Sequence, residues 1–274
     1  MPKKLTARSA RQEFDKFHYY TNSVQSAEHD AELLWTILRK TWTGTPLSRP
    51  VLQEDFCGTG CLCFEWAKLG STHQAVGIDL DPEALAWGNS RHRARIKESQ
   101  SKRVRLINGN VLHDHGVKPH MICALNFSYF FIKDRALLRK YFAACKKSLI
   151  KGGVLALDVF GGPDYLMPHM DRRRNDEHKF DYWWEIKKFD ALSNDIDAAI
   201  HFKPDGQPPR KNVFQYHWRL WSIPEITDVL KESGFSQVEY WSEGLDDKGY
   251  GNGKFRRIKS ETECETWVAY IIAK

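Results

Sequence analysis

The stretch that decides the fold is Leu52-Gln53-Glu54-Asp55-Phe56-Cys57-Gly58-Thr59-Gly60, followed by Val76-Gly77-Ile78-Asp79-Leu80-Asp81. The first segment reads as a strand running into a tight glycine turn that opens a helix. Glycine lets a ligand approach such a turn closely, and the helix N-terminus favours a carboxylate or phosphate. The second is a strand whose last residue is an acid about 20 residues on, where a carboxylate can accept from a ribose diol. A dinucleotide site needs Gly-x-Gly-x-x-Gly so that a pyrophosphate can sit on the turn. Here Phe56 stands where the first glycine would be and the turn reads Cys57-Gly58-Thr59-Gly60. A smaller ligand, lacking a pyrophosphate, is expected.

Outward from this stretch, strand and helix signals alternate. Pro50 to Asp55 reads as a strand, Gly60 to Leu69 as a helix stopped by Gly70, and Gln74 to Asp79 as a strand. Pro82 to Lys97 reads as a helix with proline in its first turn. Val104 to Gly109 and Met121 to Leu125 are further strands, Arg135 to Leu149 an amphipathic helix, and Val154 to Phe160 a buried strand. Repeated βα units predict an α/β fold, a mainly parallel sheet with helices on both faces. Residues 49–162 form this core. Before it, Leu33, Leu34, Ile37 and Leu38 recur at helical spacing, so residues 1–48 are expected to form a helical N-terminal segment ended by a Thr-Gly-Thr-Pro linker.

The pattern changes after Pro163. Asp181 to Asp190, Ile196 to Lys203 and Asn212 to Leu220 read as strands separated by Ser193-Asn194-Asp195 and Pro204-Asp205-Gly206, which are hairpin signals. Residues 163–220 are therefore expected to form an antiparallel cap inserted over the ligand edge of the sheet. Residues 221–274 complete the core with a helix from Pro224 to Ser233 and strands at Ser236 to Ser242 and Thr266 to Ala273. The Gly- and Lys-rich stretch Gly244 to Lys259 reads as a mobile loop.

Composition narrows the class. Hydrophobic residues make up 42% of the 274, with 10 Trp, 10 Tyr and 15 Phe, which is ample for a packed core and excludes a wholly disordered chain. No apolar run approaches the roughly 20 residues of a membrane span, and Met1-Pro2-Lys3-Lys4 leads into no apolar signal region. A soluble, cytoplasmic protein is expected. Six cysteines without ligand spacing suggest free thiols and no metal site. The net charge of +6 admits an anionic partner, but Lys and Arg are scattered. The densest runs, Arg91 to Lys97 and Arg172-Arg173-Arg174, read as solvated helix faces or loops. No nucleophile elbow, Walker lysine or HExxH motif is present.

The Cys57-Gly58-Thr59-Gly60 turn, following an acid on its strand, resembles that of class I S-adenosylmethionine-dependent methyltransferases, with their Rossmann-like sheet. The resemblance extends to a bacterial group with a Glu-Asp-Phe-Cys-Gly-Thr turn, a Gly-x-Asp-x-Asp-Pro-Glu segment and an Asn-Phe-Ser-Tyr-Phe segment, from about Tyr19 to Gly162. It implies S-adenosylmethionine as cofactor and S-adenosylhomocysteine as product. Carried over by position, Glu54, Phe56, Cys57, Gly58 and Gly60 hold the methionine half, Asp79 accepts from the ribose, and Leu80 packs on the adenine. Asn110 falls where the family usually has an Asp that receives the adenine amino group, with Val111 beside it. Tyr19, Tyr20 and Gln25 belong to an N-terminal lid, where an aromatic ring suits a sulfonium.

Asn126-Phe127-Ser128-Tyr129 follows the fourth strand, where methyltransferases meet the target atom, and matches only the ends of an Asn/Asp-Pro-Pro-Tyr/Phe tetrapeptide. Asn126 and Tyr129 are candidate catalytic residues, Asn126 also touching the cofactor. His217 is the general-base candidate by chemistry. The expected acceptor is a small molecule with a nitrogen or oxygen nucleophile. The alternatives are a nucleic-acid or protein N-methyltransferase, or an inactive cofactor-binding scaffold.

Overall fold

The alternation of strand and helix signals builds an eight-stranded sheet in the computed structural model, which describes residues 14–24, 26–44, 46–245, 251–260 and 266–274. Two helices come first, α1 (Lys16–Thr21) and α2 (Ala27–Thr41). The βα series follows as β1 (Val51–Asp55), α3 (Cys61–Lys68), β2 (Gln74–Asp79), α4 (Pro82–Arg91), α5 (Glu98–Ser101), β3 (Val104–Asn108), β4 (Met121–Ala124), α6 (Arg135–Ser148) and β5 (Val154–Gly161). The strands β1 to β5 pair in parallel in the order β5-β4-β1-β2-β3. Every residue of β4 is buried, as expected of a strand covered on both faces. Its alternate residues divide between two cores. Ile122 and Ala124 face Leu138 and Phe142 of α6, while Met121 and Cys123 face Leu34 and Leu38 of α2 and Trp66 of α3.

A second sheet then interrupts the series. It is antiparallel, with strands β6 (His169–Asn175), β7 (Phe180–Asp190), β8 (Asp195–Pro204) and β9 (Arg210–Arg219) in that order. The chain returns to the first sheet with α7 (Ile223–Glu232), β10 (Val238–Leu245), β11 (Gly251–Ile258) and β12 (Trp267–Ala273). β12 lies antiparallel to β5, and β10 and β11 extend that edge. Among the described residues no helix is long and apolar enough to cross a membrane.

Four local expectations are corrected. The helix from Pro82 stops at Arg91 rather than Lys97, because His92 turns to hydrogen-bond Thr59 Oγ1 at 3.0 Å and the chain passes into a short 3-10 turn. Arg93 then reaches Ser101 O at 2.9 Å, so this basic run is partly tied down. Arg172-Arg173-Arg174 lies on the edge strand β6, not on a helix or loop. Its charges hid the strand from a search for apolar alternation, and charged edges are how sheets discourage further pairing. Within the supposed loop from Gly244 to Lys259, residues 251–258 pair with β10 as β11, and Phe255 packs edge-on against Tyr270.

α4 approaches the glycine turn through Gly88. A Cβ built there falls 1.8 Å from Thr59 O, a backbone atom that cannot swing away. Replacing Gly by Ala inside a helix normally stabilises by about 1 kcal/mol, whereas overpacking a fixed contact costs about 1–3 kcal/mol. The contact decides the sign. Gly88→Ala is expected to lower Tm in thermal denaturation by roughly 3–8 °C; a rise would show that α4 is free to shift off the turn.

Candidate active site

Three strands end together at the carboxyl edge of the parallel sheet, and the residues just past their ends form the site. β1 runs into a turn in which Phe56, Gly58 and Gly60 all have positive φ. Cys57 N–H donates to Ile78 O at 3.0 Å, tying the turn to β2. Gly58 N–H donates to Asp79 Oδ2 at 2.7 Å, and Asp81 N–H to Oδ1 at 2.8 Å. A Cβ on Gly58 meets nothing within 4 Å, so the space above the turn is open. At Gly60, which precedes α3, a Cβ comes within 2.5 Å of Leu106 Cδ2. Asp79 thus fixes the turn, and each carboxylate oxygen keeps a lone pair for another donor.

Glu54 lies beneath this turn, 4% exposed. Its Oε2 accepts from Cys63 Sγ at 3.1 Å, and no ion pair with it is found among the described residues. Burial pushes the Glu54 carboxyl up to about 8. The side chains of Phe56 and Cys57 point elsewhere: the Phe56 ring packs edge-on against Tyr141 at 5.5 Å, and Cys57 is buried against Gly77. On the β2–β3 side Leu80 is 68% exposed. Asn110 Oδ1 already accepts from Leu112 N–H at 2.9 Å, and Val111 packs against the Val76, Ile78 and Val117 cluster.

Asn126 and Phe127, past β4, both adopt positive φ, of 55° and 58°. Asp158 of β5 holds them there. Its Oδ2 accepts Asn126 N–H at 2.7 Å and its Oδ1 accepts Phe127 N–H at 2.9 Å. Burial raises the Asp158 carboxyl to about 8, against the opposing pull of those two donors. The sequence reading missed Asp158, although its signal was present: one acid in the apolar run Val154-Leu-Ala-Leu-Asp-Val-Phe160.

A cavity of about 370 Å³ opens from this point between the two sheets. Asn126 and Asp158 form its floor, Tyr20 one side, and Trp184, Tyr216 and Trp218 of the second sheet its far wall. The Tyr20 hydroxyl hydrogen-bonds with that of Tyr216, and burial pushes Tyr20 up to about 12. Asp30 of α2 also reaches the cavity, hydrogen-bonded to Tyr270, and burial pushes its carboxyl up to about 6. Helix α1 bridges the two sheets. Asp15 caps it and accepts from Trp87 Nε1 of α4 at 2.9 Å, while Tyr19 packs against Phe180 of β7 at 5.0 Å.

Two candidates do not reach this cavity. Tyr129 is fully buried, and its hydroxyl donates to Asp158 O at 2.8 Å, so it supports the floor from below. His217 lies on the outer face of the second sheet, its side chain 71% exposed and 2.6 Å from Asp197 Oδ1. The two-residue strand period sends Tyr216 and Trp218 inward and His217 outward. Gln25 lies outside the described residues.

No family model matches the chain, and no curated relative is found. Solved structures do match. An S-adenosylmethionine-dependent methyltransferase from Clostridium acetobutylicum superposes with a TM-score of 0.65 at 18% identity, covering 94% of this chain and 96% of its own. DesVI from Streptomyces venezuelae gives 0.67 at 17% identity, covering 95% and 98%. CalS10 from Micromonospora echinaspora, an amino pentose methyltransferase solved with S-adenosylmethionine bound, gives 0.65 at 17% identity, covering 97% and 99%. The fold is that of S-adenosylmethionine-dependent methyltransferases.

The buried acid Glu54 leaves a thermodynamic trace in this methyltransferase fold. The folded state retains a proton that the unfolded chain releases above the ordinary carboxylate range. The contribution of Glu54 to the stability of the ligand-free protein therefore falls as pH rises from about 4 to about 8. Glu54→Gln removes that term, so its Tm relative to wild type is expected to climb steadily across this window in melts at successive pH values. Parallel curves would mean that Glu54 is ionised at neutral pH in the free protein.

Proposed function

We propose that the chain transfers a methyl group from S-adenosylmethionine to a small-molecule acceptor held between the two sheets, at a nitrogen or oxygen nucleophile. The observation that carries this reading is a single continuous edge. It runs from the open turn at Gly58, held by Asp79, to the Asn126–Asp158 floor of an aromatic cavity roofed by the second sheet. The residues fit the cofactor. Glu54 is a buried carboxylate with no ion pair among the described residues, suited to the amino group of a methionine. Asp79 keeps lone pairs for the ribose hydroxyls, and exposed Leu80 offers an apolar face for the adenine.

The cofactor supplies a methyl group already activated on a positively charged sulfur. The chain's own residues align the acceptor, keep water out and remove a proton where needed. Asn126, turned inward by the Asp158 clamp, presents its side-chain amide at the cavity floor. The second sheet acts as a cap and α1 as a lid, with Tyr20 closing the seam between them. The likeness to CalS10, an amino pentose methyltransferase, favours a small acceptor over a nucleic acid. So does the surface: Arg174, within the basic run of β6, is already spent on Asp205 at 2.7 Å and on Asp181.

Calorimetry is expected to show binding of S-adenosylhomocysteine and none of NAD; the reverse preference would end this reading. Asp79→Ala loses a ligand hydrogen bond and loosens the turn, and should weaken that binding by about 1–3 kcal/mol. Asn126→Gly, which tolerates the positive φ, should bind S-adenosylhomocysteine within a few-fold of wild type yet lower kcat at least tenfold, because the lost group acts on the acceptor.

A further inference from the structure

The cavity lining carries aromatic rings and carboxylates beside the hydroxyls of Ser23, Ser26 and several tyrosines. Tyr216 and Trp218 stand two residues apart on β9 and project from the same face, their ring centroids 4.4 Å apart. Trp184 of β7 lies 5.6 Å from Tyr216 and 5.9 Å from Trp218. Across from this row, Phe127 packs edge-on against Phe160 at 4.5 Å, and Phe160 meets Trp218 at 6.2 Å. Asp158, on the floor, and Asp30 also line the cavity, and among the described residues neither takes part in an ion pair with Lys or Arg. The basic side chains there are Arg173, on the exposed edge strand, and His29, whose ring packs against Phe255 at 5.4 Å.

Electron-rich ring faces attract an organic cation most strongly where water is excluded. An ammonium that still carries protons needs hydrogen-bond acceptors on every side. A fully methylated one has no proton to donate, and aromatic rings with carboxylates nearby hold it without hydrogen bonds. Resting on the methyltransferase reading above, we propose that this pocket is shaped for a quaternary ammonium, so that the chain carries an amine acceptor through successive methyl transfers to a permanently charged product.

In each transfer the nitrogen lone pair forms the new N–C bond while the methyl carbon–sulfur bond breaks, its electron pair remaining on sulfur. Starting from a primary amine, the first two products are ammonium ions that must lose a proton before the next transfer. That proton passes to a carboxylate of the cavity lining, where Asp30 and Asp158 both stand, and on to solvent. After the third transfer the nitrogen has no proton to lose, and the charge stays.

The test uses choline and its neutral carbon isostere, 3,3-dimethylbutan-1-ol. Each is titrated by calorimetry into the full chain saturated with S-adenosylhomocysteine, whose sulfur carries no charge. Choline is expected to bind at least tenfold more tightly than the isostere, and Trp184→Leu to erase most of the difference. The wild-type comparison stands even if that variant fails to fold. Equal binding of the two probes overturns the proposal. So does choline displacing S-adenosylhomocysteine instead of binding beside it, since the rings would then serve the cofactor's own sulfonium. Failure of S-adenosylhomocysteine to bind at all instead overturns the methyltransferase reading, and the proposal with it.

Discussion

One carboxylate holds the two halves of the site together. Asp158 accepts the N–H groups of Asn126 and Phe127 on its two oxygens, while its backbone carbonyl accepts the hydroxyl of Tyr129. The end of β4 is thereby fastened to β5 in a conformation that two successive non-glycine residues rarely adopt. Each positive φ costs of order 1 kcal/mol, and strain of this kind persists only where surrounding contacts over-determine it. Hydrogen bonds from two backbone donors offset that cost. The outcome is geometric: Asn126 is carried to the cavity floor, and the Phe127 ring is laid against Phe160, where the first sheet meets the second.

The same edge gathers acids whose charge the protein alone does not neutralise. Glu54, under the glycine turn, and Asp158 and Asp30, on the cavity, are all raised, chiefly by burial. A buried carboxylate without a cationic partner works against the folded state. Its persistence is understandable where ligands bring the missing positive charge. Glu54 lies under the turn, where an amino group would be held, and Asp30 and Asp158 lie where an amine acceptor would. The free protein is thus less stable than its complexes should be, and ligand binding and folding stability are linked through these groups.

How much of this was legible in the sequence follows from periodicity. β4 and β5 were readable because strands covered on both faces run largely apolar, β1 and β2 because they lead into the glycine turn and Asp79, and the inserted hairpins because their turns carry Asn194 and Gly206 at positive φ. β6 and β11 were not. Their sequences, His169-Met-Asp-Arg-Arg-Arg-Asn175 and Gly251-Asn-Gly-Lys-Phe-Arg-Arg-Ile258, lack apolar alternation because edge strands bury little and are held by their neighbour's backbone. The glycine turn and Asp79 were found through local spacing. Asp158, Asp30 and the Tyr20–Tyr216 contact depend on pairings between distant segments, which no local pattern reveals.

His217 shows the limit of reading chemistry without parity. A histidine is the natural choice for a proton acceptor, but on β9 His217 faces solvent beside Asp197, while its neighbours Tyr216 and Trp218 face the cavity. Among the described residues no histidine stands on the cavity wall except His29, at its rim with Phe255. Proton removal then falls to a carboxylate, and a carboxylate serves as a base near neutral pH only if its affinity for protons is raised. Burial does this for Asp30 and for Asp158 alike. Each keeps a lone pair beyond the hydrogen bonds it already accepts, so Asp158 can fix the floor and still, like Asp30, take a proton.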